Sequence, residues 1–153
     1  MANTYSQIYI HLVFSVKWRQ NLIQKKWKDE LHKYICGIVN GKGQKVYAIG
    51  GVSDHIHILV SIKPNIFISD LVRDIKANSS KWINEKGYVK GKFQWQEGFG
   101  AFSCSQSLLD TVIAYINNQE QHHQRKTFKD EYLKLLQKCN IEYDEKYLFE
   151  WME

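Results

Sequence analysis

Between residues 6 and 16 the chain alternates: Ile8, Ile10, Leu12, Phe14 and Val16 take the even positions, and Gln7, Tyr9, His11 and Ser15 are among the odd ones. A period of two sends successive side chains to opposite faces, so this segment is a β-strand with one face committed to a core. The same parity returns at 55–62, where Ile56, Ile58, Val60 and Ile62 alternate with a face that begins with His55 and His57. Strands of this kind need a sheet to join and a layer to cover their apolar side.

The remaining patterns supply both. Residues 27–39 carry Trp27, Leu31, Tyr34, Ile35 and Ile38 at helical spacing, and Asn40, Gly41 and Gly43 stop the helix. Residues 45–53 form a strand, with Gly50 and Gly51 as bulge positions, joined tightly to 55–62 near Ser53 and Asp54. A second helix spans 69–84, a further extended segment 93–103, a third helix 107–121 and a short fourth 128–138. The order predicts an α+β, ferredoxin-like or RRM-like sandwich: an antiparallel sheet with helices packed on one face, followed by a C-terminal helix. In that topology the first and third strands are central neighbours. His55 and His57 then point together to the opposite, open face, with His11 beside them.

At 153 residues the chain suits one domain, 1–153, that carries binding and chemistry together. Hydrophobic residues make up 44%, and a single proline and nine glycines leave no stretch with linker composition. The formal net charge of +5 favours a polyanionic partner. No apolar run has membrane-spanning length, and the first residues lack a basic stretch followed by an apolar one. Cys36, Cys104 and Cys139 are widely spaced, with no Cys-x-x-Cys pair, which suits reduced thiols in a soluble, cytoplasmic protein with no membrane association.

Histidines at i and i+2 on a strand share a face with Cβ atoms about 7 Å apart, so His55 and His57 are able to converge on one divalent ion. Taken alone, the pair equally suits two exposed histidines on a half-solvated strand. Tyr115 and Gln119, at i and i+4, occupy one face of the third helix, while Val112, Ile113 and Ile116 point inward. A phenol sharing a face with a neutral oxygen ligand is able to meet the histidines at one ion, and the same spacing equally suits a core or rim tyrosine beside a solvated glutamine.

Asp54-His55-Ile56-His57-Ile58-Leu59 and Tyr115-Ile116-Asn117-Asn118-Gln119 together resemble the single-tyrosine HUH transposases, which mobilise insertion sequences as single-stranded DNA, and their repeat-associated domesticated relatives. The likeness extends to 11–15 in the first strand, 75–82 in the second helix and 95–103 before the tyrosine helix. It implies that His55, His57 and Gln119 are metal ligands, that the ion is Mg²⁺ or Mn²⁺, and that Tyr115 is the catalytic nucleophile. Two imidazoles are softer donors than Mg²⁺ prefers and suit Mn²⁺. His11 is a candidate to orient Tyr115 or a phosphate from outside the ligand set, whereas His122 and His123 are left to the surface. The resemblance also implies hairpin ends of a mobile element as substrate, action at the prokaryotic nucleoid, and a homodimer. In such a dimer the tyrosine helix serves the partner subunit through a hinge at 102–107.

For DNA contact the candidates are Lys17 and Arg19 after the first strand and Arg73, Lys76 and Lys81 along the second helix, with Trp18, Trp95, Phe99 and Phe102 as stacking surfaces. Two alternatives stay open. One is an RRM-like module that binds single-stranded nucleic acid without catalysis; the other is a domesticated repeat-associated HUH nuclease.

Overall fold

A computed structural model describes residues 3–124 and 126–144. Of the C-terminal segment 141–153, to which the sequence assigns nothing beyond packing or dimer contact, residues 145–153 lie outside the described residues. Four strands, β1 (Ile8–Ser15), β2 (Lys45–Val52), β3 (His55–Ile62) and β4 (Gly100–Cys104), form one antiparallel sheet in the order β2-β3-β1-β4. The central pairing of β1 with β3 follows from parity, with Leu12 opposite Ile58 and Phe14 opposite Ile56. These even-numbered side chains bury against Trp27, Leu31, Ile35 and Val39 of α1 (Lys25–Gly41) and Leu71, Val72, Ile75 and Ile83 of α2 (Ile68–Lys86). Each such aliphatic side chain, fully buried, contributes roughly 1.5–3 kcal/mol, and this face holds the largest apolar cluster.

The other face of the sheet is covered as well, and here the structure departs from the open face expected of an RRM-like sheet. Three helices lie over it: α3 (Leu109–Asn117), the single turn α4 (Gln119–His122) and α5 (Phe128–Lys138). The reason lies in the odd positions, which are not all polar. Val13 packs with Phe102, Phe128, Tyr132 and Leu136, while Tyr9 and Leu59 pack with Ala48, Leu109 and Ile116. Two apolar patches therefore flank the histidines and draw a second helical layer over them.

Three further details differ from the sequence reading. Of the extended segment 93–103 only Gly100–Cys104 pairs as a strand; Phe93 and Trp95 enter the main core from an irregular loop. Lys76 Nζ fixes that loop by donating to the carbonyls of Gln96 (2.7 Å) and Gly98 (2.5 Å), and Gly98 sits at φ 84, where a side chain would be strained. The helix expected at 107–121 breaks at Asn118 (φ −101, ψ 20) into α3 and α4. The sheet irregularity falls between Val46 and Ala48 rather than at Gly50 and Gly51, which pair in register with His57 and Ile56. Gly50 answers to a different constraint: a Cβ there would collide with the carbonyl oxygen of Ile116.

Candidate active site

β3 delivers His55 and His57 to the α3–α5 side, and β1 delivers His11 alongside. His55 and His57 are 0% exposed and His11 is 6% exposed, so the trio forms a buried centre rather than a surface patch. Their partners come from all three covering helices. His55 Nε2 lies 3.1 Å from Gln119 Oε1 on α4. The Tyr115 hydroxyl on α3 donates to Glu131 Oε2 on α5, and the Tyr115 ring stands edge-on to His57 at 5.7 Å. All four residues nominated for the centre, His55, His57, Tyr115 and Gln119, are thus brought together despite the break at Asn118.

Glu131 and His123 were not nominated, and both belong to the centre. The Glu131 carboxylate is divided between two neighbourhoods. Oε1 lies 3.0 Å from His57 Nε2, 3.3 Å from His55 Nε2 and 3.0 Å from His123 Nε2. Oε2 takes the Tyr115 hydroxyl and the Gln119 amide at 3.1 Å, and His122 Nε2 lies 3.3 Å away without a hydrogen bond. The placement of His123 corrects its assignment to the surface: its side chain is only 8% exposed, edge-on to the His55 ring at 4.4 Å and with Nδ1 2.7 Å from the Lys126 carbonyl oxygen. A signal for Glu131 exists in the sequence. Residues 128, 131, 132, 135 and 136 form the i, i+3, i+4, i+7, i+8 stripe of an amphipathic helix, and an acidic residue inside that stripe must be buried with partners.

The protonation pattern follows from these contacts. Burial pulls the His55 imidazole down, but hydrogen bonds to Asp54 and Glu131 outweigh it and raise its pKa to about 9. Its Nδ1 meets Asp54 Oδ1 at 2.7 Å, so both ring nitrogens face acceptors and the imidazolium is favoured. His57 shares Glu131 but has another imidazole at its second nitrogen, His11 Nε2 at 2.8 Å; burial dominates and lowers it to about 4. Burial and the neighbouring His57 bring His11 down to about 3. Burial alone would raise Glu131, but its hydrogen bonds with His123, His55 and His57 hold the carboxyl well below the ordinary range. Burial and the Glu131 carboxylate push the Tyr115 phenol above its usual value.

The donor set fits a divalent cation. His55, His57, His123 and Glu131 each offer one ligand atom, and these atoms lie within 4.8 Å of one another. The pocket stabilises a proton on His55 among anionic and neutral oxygens, which is a preference for positive charge at that spot. The cluster is therefore able to bind a metal.

Among the described residues, clefts of differing size reach the centre. One, of about 680 Å³, is lined by Arg19, Lys25, Asp54, His123 and Lys126 among others. A second, of about 290 Å³, exposes Tyr115 and Glu131 beside Lys126, Lys134 and Lys138. Of the cations nominated for DNA, Lys17 and Arg19 lie in the turn leading into the first cleft, where Trp18 and Arg19 hold left-handed φ values of 60 and 51. Arg73, Lys76 and Lys81 sit on α2, across the sheet from the histidines. There Arg73 pairs with Asp70, Lys81 approaches Glu85 at 4.0 Å, and Lys76 is held by backbone carbonyls. Trp95 and Phe102 are core residues, which removes them as stacking surfaces; Trp18 and Phe99 remain exposed.

Comparison with known proteins finds chains similar to this one. The family described as "Transposase IS200 like" matches residues 4–119. The ISDra2 transposase TnpA of Deinococcus radiodurans is 25% identical over 118 residues, 74% of this chain and 84% of the relative. The transposase for insertion sequence element IS200 of Salmonella typhimurium is 26% identical over 113 residues, 73% of this chain and 72% of the relative. The solved structure of a REP-associated tyrosine transposase bound to a REP hairpin shares the fold, with a TM-score of 0.61 and 13% identity over 80% of this chain and 73% of that one.

Proposed function

The chain belongs to the IS200-like transposase family and is a DNA transposase, and from that premise we propose that it nicks and rejoins single-stranded DNA through Tyr115 at a centre where His55, His57 and Gln119 hold Mg²⁺ or Mn²⁺. One observation carries this reading: a tyrosine hydroxyl and the Nε2 atoms of both strand histidines meet on the two oxygens of a single buried carboxylate. A phenol whose pKa is raised is a poor nucleophile at neutral pH unless its surroundings change when substrate binds. A bound divalent ion would neutralise the scissile phosphate and polarise it for attack.

In the reaction proposed, the Tyr115 oxygen forms a bond to phosphorus as the bond to the 3′-oxygen breaks. The phenol loses its proton and the departing 3′-oxygen gains one. The products are a 5′-phosphotyrosine and a free 3′-hydroxyl. One phosphoester replaces another, so attack by a second 3′-hydroxyl reverses the step and joins strands without ATP. His11 holds His57 from behind: with an ion bound, an Nδ1–H donated by His57 to His11 Nε2 would free the His57 Nε2 lone pair for the ion, in place of the Nε2–H that faces Glu131 without one.

The REP-associated relative is described as bound to a hairpin, which supports hairpin ends as the substrate here. Lys17 and Arg19, with Lys25 and Lys126, are the cations placed to track a phosphate backbone into the larger cleft. Arg73, Lys76 and Lys81 would serve only DNA that wraps to the α2 face. We further place the protein in the prokaryotic cytoplasm, at the nucleoid when acting, as a homodimer; no helix among the described residues is long and apolar enough to cross a membrane. The covered sheet face disfavours an RRM-like module without catalysis, which needs that face open for stacking. A domesticated repeat-associated nuclease would use the same chemistry on a different hairpin.

The test is covalent capture. With Mn²⁺ and oligonucleotides spanning a hairpin and its 5′ flank, the wild type is expected to yield a denaturation-resistant protein–DNA adduct. Tyr115→Phe should yield none while its hairpin affinity stays within about twofold. An adduct of equal yield from Tyr115→Phe would overturn the assignment of the nucleophile.

A further inference from the structure

Glu131 lies beyond the stretch matched by the family and is the most heavily contacted side chain of the centre. It is 3% exposed, and its two oxygens serve different groups. Oε1 faces only imidazole nitrogens, those of His55, His57 and His123 at 3.0–3.3 Å. Oε2 faces the Tyr115 hydroxyl and the Gln119 amide, with His122 Nε2 at 3.3 Å. Carboxylates commonly join a metal set through one oxygen while the other accepts a hydrogen bond.

The geometry points to Glu131 as a bridge: Oε1 joins the metal ligands, and Oε2 anchors Tyr115, so that a residue of α5 fixes the distance between the nucleophile and the ion. This rests on the proposed metal centre. It adds an anionic ligand to a set otherwise made of neutral donors, which strengthens divalent binding through charge. The alternative use of the same carboxylate is as a plug that fills the ion's place and must leave before the ion enters. The two predict opposite effects of removing its charge. As a bridge Glu131 is a positioning residue for Tyr115, and its helix is held in place. Phe128, Tyr132 and Leu136 bury the α5 stripe against Val13 and Phe102, and Thr127 caps the helix at the Asp130 amide.

The experiment measures Mn²⁺ affinity on the full chain without DNA, by the paramagnetic resonance signal of free Mn²⁺, for wild type, Glu131→Gln and Tyr115→Phe. Glu131→Gln is expected to weaken Mn²⁺ binding about tenfold or more, and Tyr115→Phe, which keeps the carboxylate charge and removes one hydrogen bond to Oε2, to weaken it less than Glu131→Gln does. Equal or tighter binding by Glu131→Gln overturns the bridge. Hydrogen exchange of the wild type provides a reading that needs no substitution: Mn²⁺ should increase protection of the Phe128–Lys138 amides, whereas a plug expelled by the ion would reduce it. A wild type that neither binds Mn²⁺ nor forms the covalent adduct overturns the metal centre and the bridge together. A wild type that does both, beside a Glu131→Gln variant that binds Mn²⁺ as well, overturns the bridge alone.

Discussion

His55 and His57 share a strand, a face and a carboxylate, yet their protonation is pushed in opposite directions, to about 9 and about 4. The difference lies at the far nitrogen of each ring, which meets an anion, Asp54, in one case and an imidazole, His11, in the other. Each partner fixes a tautomer or protonation state, and each therefore controls how well the near nitrogen serves a cation. His11→Ala removes the acceptor that orients His57 while leaving every proposed ligand itself in place. Mn²⁺ affinity should fall about 10- to 100-fold, measured by titration under conditions where circular dichroism shows the variant folded; unchanged affinity would remove His11 from the centre. At this scale the sequence was legible wherever chemistry coincided with period. The i, i+2 histidines and the i, i+4 tyrosine and glutamine could be assigned to shared faces. Glu131 could not be placed from its neighbours in the chain, because its partners come from β3, α3 and α4, and only the fold brings them together.

Among the elements, the least regular one carries the nucleophile. α3 ends at Asn117 and α4 begins at Gln119, so Tyr115 and Gln119 reach the same carboxylate from two short helices rather than one. The sheet fixes where α3 lies, since the Ile116 carbonyl seats directly over Gly50 of β2. Gly50→Ala would force this contact apart, at a cost of about 1–3 kcal/mol. A lower urea midpoint and a reduced adduct yield are expected together, because the displaced helix carries Tyr115. A stable variant with full adduct yield would show that α3 position is not set there. Strands and long helices were readable because alternation and helical stripes report burial on one side. The second layer was harder to foresee. Among the described residues, the odd positions of β1 and β3 bury only Tyr9, Val13 and Leu59 as apolar side chains, too sparse a signal to announce a covered face.

For the molecule as a whole, a buried cluster of imidazoles makes stability depend on pH in a direction that can be worked out. Burial lowers His11 to about 3, and His57 and His32 to about 4. In the unfolded chain each titrates near ~6.5, so between that value and about 4 the unfolded state binds more protons and acid favours it. Their contribution is present above ~6.5 and is lost as pH falls through the folded values. His55 runs the other way: raised to about 9, it stabilises below ~6.5 and loses that contribution as pH rises to its folded value. Three histidines against one set the sign on the acid side; on the alkaline side His55 sets it, since Lys76, lowered by burial to about 8, opposes it only over the top of the window between pH 7 and 9. For the metal-free protein, urea midpoints at pH 5, 7 and 9 should therefore peak at pH 7. Saturating Mn²⁺ at pH 7 should raise the midpoint further, because an ion held by the folded site alone shifts the equilibrium by mass action. A midpoint that climbs from pH 7 to pH 5 would mean that the imidazoles are hydrated in solution, and the closed second layer over β1 and β3 would be wrong.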